Sequence, residues 1–178
     1  MKKLDARTIA VLAAMTAMVT IITRVVQVFY PPTGGYLTFA DVGVYFAAFA
    51  FGPWVGLIAG GVGAALGDVS GGFAAFAPLT FFAHGLQGLA AGYIGGRTNS
   101  LPRMLLGWMA GTAIMVALYY LGEAYIMGIG VGGATLEAPG NLIQNIAGAL
   151  LGIPLVYSVR RAYPPISLVA FGKTWKEI

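Results

Sequence analysis

The sequence predicts an all-α integral membrane protein of six short transmembrane helices, with both termini in the cytoplasm. Three observations lead there. Hydrophobic residues make up 58% of the 178-residue chain and charged residues only 9%, against about 25% charged in soluble domains. Apolar stretches recur along its whole length. Threaded as six spans, they place nine of the ten Lys and Arg residues on one side. So few charges cannot cover a soluble fold of this size, which excludes a soluble enzyme and a disordered chain. The net charge of +4 includes no Lys/Arg cluster dense enough to grip a phosphate backbone, so nucleic acid is not an expected partner. Without cysteine, disulfides and thiolate metal sites are excluded.

The spans follow in order. Residues 6–28 form the first, long enough to cross at about 20 residues. Lys2, Lys3 and Arg7 begin it, but the run is too long for a cleaved signal. Tyr30-Pro31-Pro32-Thr33-Gly34-Gly35 ends it. The next apolar run breaks at Gly52-Pro53, since proline removes an amide donor and disfavours helix before it. A turn there gives spans 39–51 and 53–67, followed by 73–95, 104–127 and 139–160, with a short cytoplasmic tail at 164–178. Charge decides between turn and kink. With a turn, Lys2, Lys3, Arg7, Arg97, Arg103, Arg160, Arg161, Lys173 and Lys176 are inside and only Arg24 is outside. A five-span thread leaves three inside, or seven when flipped. The six-span thread also puts Asp5 and Glu177 inside and Asp41, Asp68, Glu123 and Glu137 outside.

Small residues recur every fourth position at Gly52, Gly56, Gly60 and Ala64, at Gly88, Gly92 and Gly96, and at Gly148 and Gly152. Such stripes let helices approach closely within a bundle. The first helix carries Ala10, Ala14 and Ala13, Ala17, for bundle packing or for docking a partner subunit.

Ionisable groups at membrane depth are costly and mark candidate sites. Arg24 lies about 25 Å along the helix from Arg7, near the outer interface, snorkelling or paired with an acid. His84 and Gln87 share a face near the middle of the fourth span. With no second His or any Cys, a transition-metal site is not expected, and no cofactor is. Tyr119, Tyr120 and Glu123 cluster near the outer end of the fifth span, where tyrosines also serve as interfacial anchors. Asn141, Gln144 and Asn145 lie on one face of the sixth span, to bind neighbouring helices or to line a polar cavity. Above these groups lies the loop from Tyr30 to Thr38, able to fold over them as a lid. A cavity offering amide, carboxylate, imidazole and phenol groups suits a small, flat, polar heteroaromatic molecule. The candidate binding residues are Tyr36, Asp41, His84, Gln87, Tyr120, Glu123, Asn141, Gln144 and Asn145. The glycine-rich run 128–133 follows a membrane helix rather than a strand, which argues against a phosphate loop. No Walker lysine motif and no nucleophile–base arrangement stand out, so no enzyme activity is expected.

These motifs resemble the substrate-binding S-components of energy-coupling factor (ECF) vitamin transporters. The resemblance rests on the alanine-rich first helix and on Gly35 to Asp41, then Phe51-Gly52-Pro53-Trp54-Val55-Gly56 and Gly60-Gly61-Val62-Gly63. Ala65-Leu66-Gly67-Asp68, Pro78-Leu79-Thr80, His84-Gly85-Leu86-Gln87-Gly88 and Pro139 to Pro154 continue it across about residues 6–160. The riboflavin/hydroxymethylpyrimidine branch looks most similar, with His84 standing where many of its members carry Lys. The resemblance implies capture of a water-soluble vitamin or precursor at the outer face of a prokaryotic plasma membrane. A pyrimidine or pyridine compound is favoured, then a flavin. It also implies a transmembrane coupling subunit and two ATPase subunits, with Ala10, Ala14 and Ala17 as the docking surface. The competing readings are a self-sufficient secondary carrier and a structural subunit of a larger membrane complex.

Overall fold

Gly52 and Pro53 decide how the chain turns within its second apolar stretch. Gly52 adopts φ 97°, a conformation that favours glycine, and Pro53 occupies the first turn of the following helix. The stretch is therefore two helices joined by a turn. The computed structural model describes residues 6–168. Within them run α1 (Ala6–Val25), β1 (Gln27–Tyr30), β2 (Gly35–Thr38), α2 (Ala40–Phe51), α3 (Pro53–Gly71), α4 (Ala77–Gly95), α5 (Leu101–Tyr125) and α6 (Gly130–Ala162). A short 3₁₀ turn, Pro164–Leu168, follows. Lys2, Lys3, Asp5, Lys173, Lys176, Glu177 and the end of the tail lie outside the described residues. Helices α1, α3, α5 and α6 are long and apolar enough to cross a membrane, the pattern of a multi-pass membrane protein.

Helix α2 has twelve residues, about 18 Å of rise, and eleven of them are buried. It packs against α1, α3, α4 and α6, so protein surrounds it and it has no need to match the bilayer's thickness. Small residues permit this crowding. A Cβ added at Gly56 would sit 2.5 Å from the Gly88 carbonyl oxygen, and one at Gly60 would sit 2.5 Å from that of His84. Gly148 and Gly152 press α6 onto Asp41 and Tyr45 of α2 in the same way. These stripes pack the bundle, as expected. Ala10, Ala13, Ala14 and Ala17 differ: all four are exposed, while Val19 and Thr23 on the other side of α1 are buried. The alanine face is therefore not spent on packing among the described helices. At the opposite end of α2, Arg160 of α6 donates to the Phe49 carbonyl (2.8 Å) and to the Thr98 carbonyl (2.5 Å), tying the α4–α5 loop to the end of α2.

The structure departs from the expected elements in three places. The Tyr30–Thr38 loop is part of an antiparallel hairpin, with Gln27 opposite Thr38 and Tyr30 opposite Gly35. The all-α expectation is corrected to that extent, and α1 stops at Val25 because Gln27–Tyr30 pair as strand. Helix α5 starts at Leu101, with Pro102 in its first turn, where proline's missing amide is harmless. Helix α6 starts at Gly130 and carries Pro139 inside it. Its extra turns lean on the hairpin: the Tyr30 hydroxyl donates to the Leu136 carbonyl (2.7 Å), and Thr33 bonds Glu137.

Candidate binding site

The hairpin lies across the ends of α1, α3, α4 and α6 and closes a small cavity beneath it. The cavity measures about 20 Å³, room for about one water-sized molecule. Its walls come from Tyr36 and Thr38 of the hairpin, Thr23 of α1, Asp68 of α3, Thr80 and His84 of α4, Tyr119 of α5, and Glu137, Asn141 and Gln144 of α6.

The upper wall is held by hydroxyls. Tyr36 donates to Asp68 Oδ1 at 2.5 Å, and its ring lies against Phe73 with centroids 4.4 Å apart. Burial, together with the neighbouring Asp68 carboxylate, pushes the Tyr36 phenol above its ordinary value, so it stays a donor. Thr80 and Tyr119 share a hydrogen bond of 2.7 Å. Asp68 Oδ2 is buried with no partner among the described residues.

The floor is a chain of amides around a buried carboxylate. Asp41, fully buried at the start of α2, accepts Gln87 Nε2 on Oδ1 (2.5 Å) and Gln144 Nε2 on Oδ2 (2.7 Å). Gln144 Oε1 accepts the Thr38 backbone amide at 2.7 Å, joining the floor to the hairpin. Asn145 Oδ1 accepts Gln87 Nε2 (2.8 Å), the Tyr45 hydroxyl (2.6 Å) and the Thr112 hydroxyl (3.2 Å). Gln87 spends its amino group on Asp41 and Asn145, which leaves its Oε1 facing His84 Nδ1, 2.8 Å away. His84 Nδ1 therefore carries the proton. In the neutral ring, Nε2 is then an acceptor available to a bound molecule. His84 Nδ1 also lies 3.5 Å from Asp41 Oδ1, which receives the charge when the ring is protonated.

Of the residues expected from sequence, Tyr36, His84, Asn141 and Gln144 line the cavity, and Asp41, Gln87 and Asn145 lie beneath it. Tyr120 does not join them. It lines an apolar groove between α5 and α6 with Trp108, Val116 and Leu142, its hydroxyl 3.5 Å from that of Thr135. One residue is about 100° of helix, and Tyr119 takes the inward direction. Glu123 is fully buried but is not among the lining residues, lying against Glu137 instead. Thr38, Asp68, Thr80, Tyr119 and Glu137 line the cavity without having been singled out for it. Thr80 was findable, four residues before His84 on the same helical face. So were Asp68 and Glu137, acids at the outer level of the other candidates.

Comparison with known proteins bears on what this cavity serves. A family model described as "ECF-type riboflavin transporter, S component" matches residues 3–161. A protein of Pyrococcus woesei, described as an uncharacterized protein in gap 3'region, is 37% identical over 148 residues, covering 83% of this chain and 98% of that protein. The thiamine precursor transporter HmpT of Lactococcus lactis subsp. cremoris is 32% identical over 155 residues, covering 85% of this chain and 88% of HmpT. A match this long, on a helical bundle with a polar pocket under a hairpin, places the chain in the family of ECF-type riboflavin transporter S components.

Proposed function

We propose that this protein is the substrate-capturing subunit of an ECF-type importer, spanning the plasma membrane six times with both termini in the cytoplasm. The cavity faces outward and takes a water-soluble vitamin or vitamin precursor. A small amino-substituted pyrimidine or pyridine is favoured, and a flavin is second. Tyr36, His84, Asn141 and Gln144 contact the substrate, and Asp41, Gln87 and Asn145 hold them in place.

One observation carries the choice of substrate: the cavity is rich in hydrogen-bond acceptors. Asp68 Oδ2 and Glu137 accept, and no Lys or Arg is among the lining residues. A ring bearing amino groups satisfies such walls. A phosphate or carboxylate would meet like charge. The likeness to HmpT, described as a thiamine precursor transporter, supports the same direction.

Capture is followed by docking on a transmembrane coupling subunit with two ATPase subunits. The exposed Ala10, Ala14 and Ala17 face of α1 supports this step, because small side chains let another helix approach closely. The test is titration of the purified protein with an aminopyrimidine, a pyridine vitamin and riboflavin by calorimetry. Mass spectrometry of small molecules released on denaturation accompanies it. Saturable binding of the aminopyrimidine supports the reading. No binding of any of the three, with nothing released, removes it.

A further inference from the structure

Glu123 of α5 is fully buried, and neither of its carboxyl oxygens has a hydrogen-bond partner among the described residues. It faces Glu137 of α6, which is 3% exposed. Glu137 Oε2 accepts the Thr33 hydroxyl from the turn of the hairpin. The hairpin is tied to the same stretch of α6 through the Tyr30 hydroxyl and the Leu136 carbonyl. Two carboxylates held against each other away from water cannot both be ionised. With the hairpin down, one of them is neutral or the pair is met by a cation.

The surroundings narrow the choice. Tyr119 of α5 lines the cavity along with Glu137, and its hydroxyl is engaged with Thr80. Across the cavity stand Asp68 of α3, bonded to Tyr36 of β2, and His84 of α4, engaged with Gln87 and Asp41. Arg24 of α1 is bonded to Gln27. No Lys or Arg lines the cavity. No cluster of three metal-ligating side chains occurs among the described residues. With the hairpin down, the cavity reaches Glu137 and stops short of Glu123.

We infer that Glu123 and Glu137 form a proton-binding site that is assembled when the hairpin closes. One carboxyl O–H donates to the other carboxylate, and Thr33 donates to Glu137 Oε2. The proton is taken from solvent as Thr33 docks on Glu137. It returns to solvent when the hairpin lifts and water reaches both groups. The linkage has a definite sign. The closed state holds one proton more than the open state, so closure weakens as pH rises, by up to about tenfold per pH unit. The inference uses from the proposed function only that the hairpin opens.

Hairpin mobility tests it without any ligand. The chain has no cysteine, so a nitroxide on Val28→Cys, an exposed position of β1, reports the hairpin alone. Its spectrum is followed from pH 5 to pH 9 in the full-length protein in detergent. The parent should pass from immobilised to mobile as pH rises. With Glu123→Gln added, the label should stay immobilised, because the Gln amide donates to Glu137 with no titrating proton. Glu137→Gln, whose amide can donate to Glu123 and accept from Thr33, serves the same purpose if the first variant does not fold. Equal pH responses in parent and variant would assign the switch to His84 and Asp41 and overturn the inference. A parent that shows no pH response overturns it as well. Binding of vitamins is measured separately, so loss of the proposed function does not imitate either result.

Discussion

Asn145→Leu is the most informative single change, because Asn145 lines no cavity wall yet holds Gln87, which engages His84 on the wall. Its Oδ1 accepts Gln87, Tyr45 and Thr112, and its Nδ2 donates to the Asn141 carbonyl at 3.0 Å. Leucine has a similar shape and no polar atoms, so packing is nearly kept while the hub is lost. The consequences differ by partner. The Tyr45 hydroxyl retains the Thr112 hydroxyl at 3.1 Å. Gln87 retains Asp41 through one amide hydrogen, but its other hydrogen is left buried without an acceptor. One orphaned buried donor costs about 1–3 kcal/mol in soluble proteins. Measured couplings between membrane helices average nearer 0.6 kcal/mol each, which for three broken bonds gives about 2 kcal/mol. Both routes lead to about 2 kcal/mol. Unfolding in detergent should register that loss of stability. Calorimetric affinity for the bound vitamin should fall roughly 5- to 150-fold, the equivalent of 1–3 kcal/mol, because a loosened Gln87 no longer fixes His84. Thr112→Val is the control: it removes one donor, leaves no acceptor-starved amide, and should change affinity less than about twofold. If Asn145→Leu binds and unfolds like the parent, the amide floor does not organise the site.

Other outcomes follow from single contacts. Ala14→Trp places a bulky ring on the exposed face of α1; it should leave vitamin affinity unchanged and abolish uptake by whole cells, and normal uptake would free that face of any docking role. Tyr120→Phe should not alter affinity, since the side chain lines the outer groove rather than the cavity; a clear loss measured by calorimetry would return it to the site. Tyr36→Phe removes the hairpin's bond to Asp68 and should speed vitamin dissociation several-fold in stopped-flow measurements, with no change at all counting against a lid. Arg160→Ala removes the side-chain donor shared by the Phe49 and Thr98 carbonyls, leaving Phe49 with the Arg97 amide, and should lower the melting temperature in detergent; an unchanged value would show that this tie is idle.

Much of the bundle was legible because the bilayer imposes length and hydrophobicity on the long helices, and glycine and proline punctuate the chain at Gly52-Pro53. The hairpin was not, because Gln27–Tyr30 continues the apolar run of α1 and has too few residues to display a strand's alternation. The start of α6 was hidden for the opposite reason. Gly130 to Gly133 has weak helix propensity, and contacts with the hairpin through Leu136 and Glu137 hold that turn in place. Within the site, helical spacing grouped Asn141, Gln144 and Asn145 on one buried face. It did not reveal that Asn145 dips beneath the cavity while the other two line it. Tyr119 and Tyr120 are adjacent and chemically identical, so only the rotation of α5 against its neighbours could separate them. Asp68 and Glu137 were visible as outer acids, but their approach to the cavity depends on the hairpin's register, which spacing along the chain does not carry.

Under the proposed function, the size of the cavity calls for movement, and its wiring names what moves. Pockets for small organic ligands measure roughly 300–1,000 Å³, whereas this one measures about 20 Å³. A heteroaromatic ring therefore cannot enter while the hairpin stays where it is. The helices around the cavity are locked by backbone-to-backbone approach at Gly56, Gly60 and Gly148, so they yield little. The hairpin is held by fewer ties: Tyr30 to Leu136, Thr33 to Glu137, Tyr36 to Asp68, and the Thr38 amide to Gln144 and hydroxyl to the Thr23 carbonyl. The Thr38 amide bond is the one that reports occupancy. From the Thr38 amide a continuous run of hydrogen bonds passes through Gln144, Asp41 and Gln87 to His84. A substrate that donates to a neutral His84 strengthens donation from His84 to Gln87 and from Gln87 to Asp41; Asp41 accepts from both ends of the run, so its bond from Gln144, and with it the Thr38 tie, is weakened.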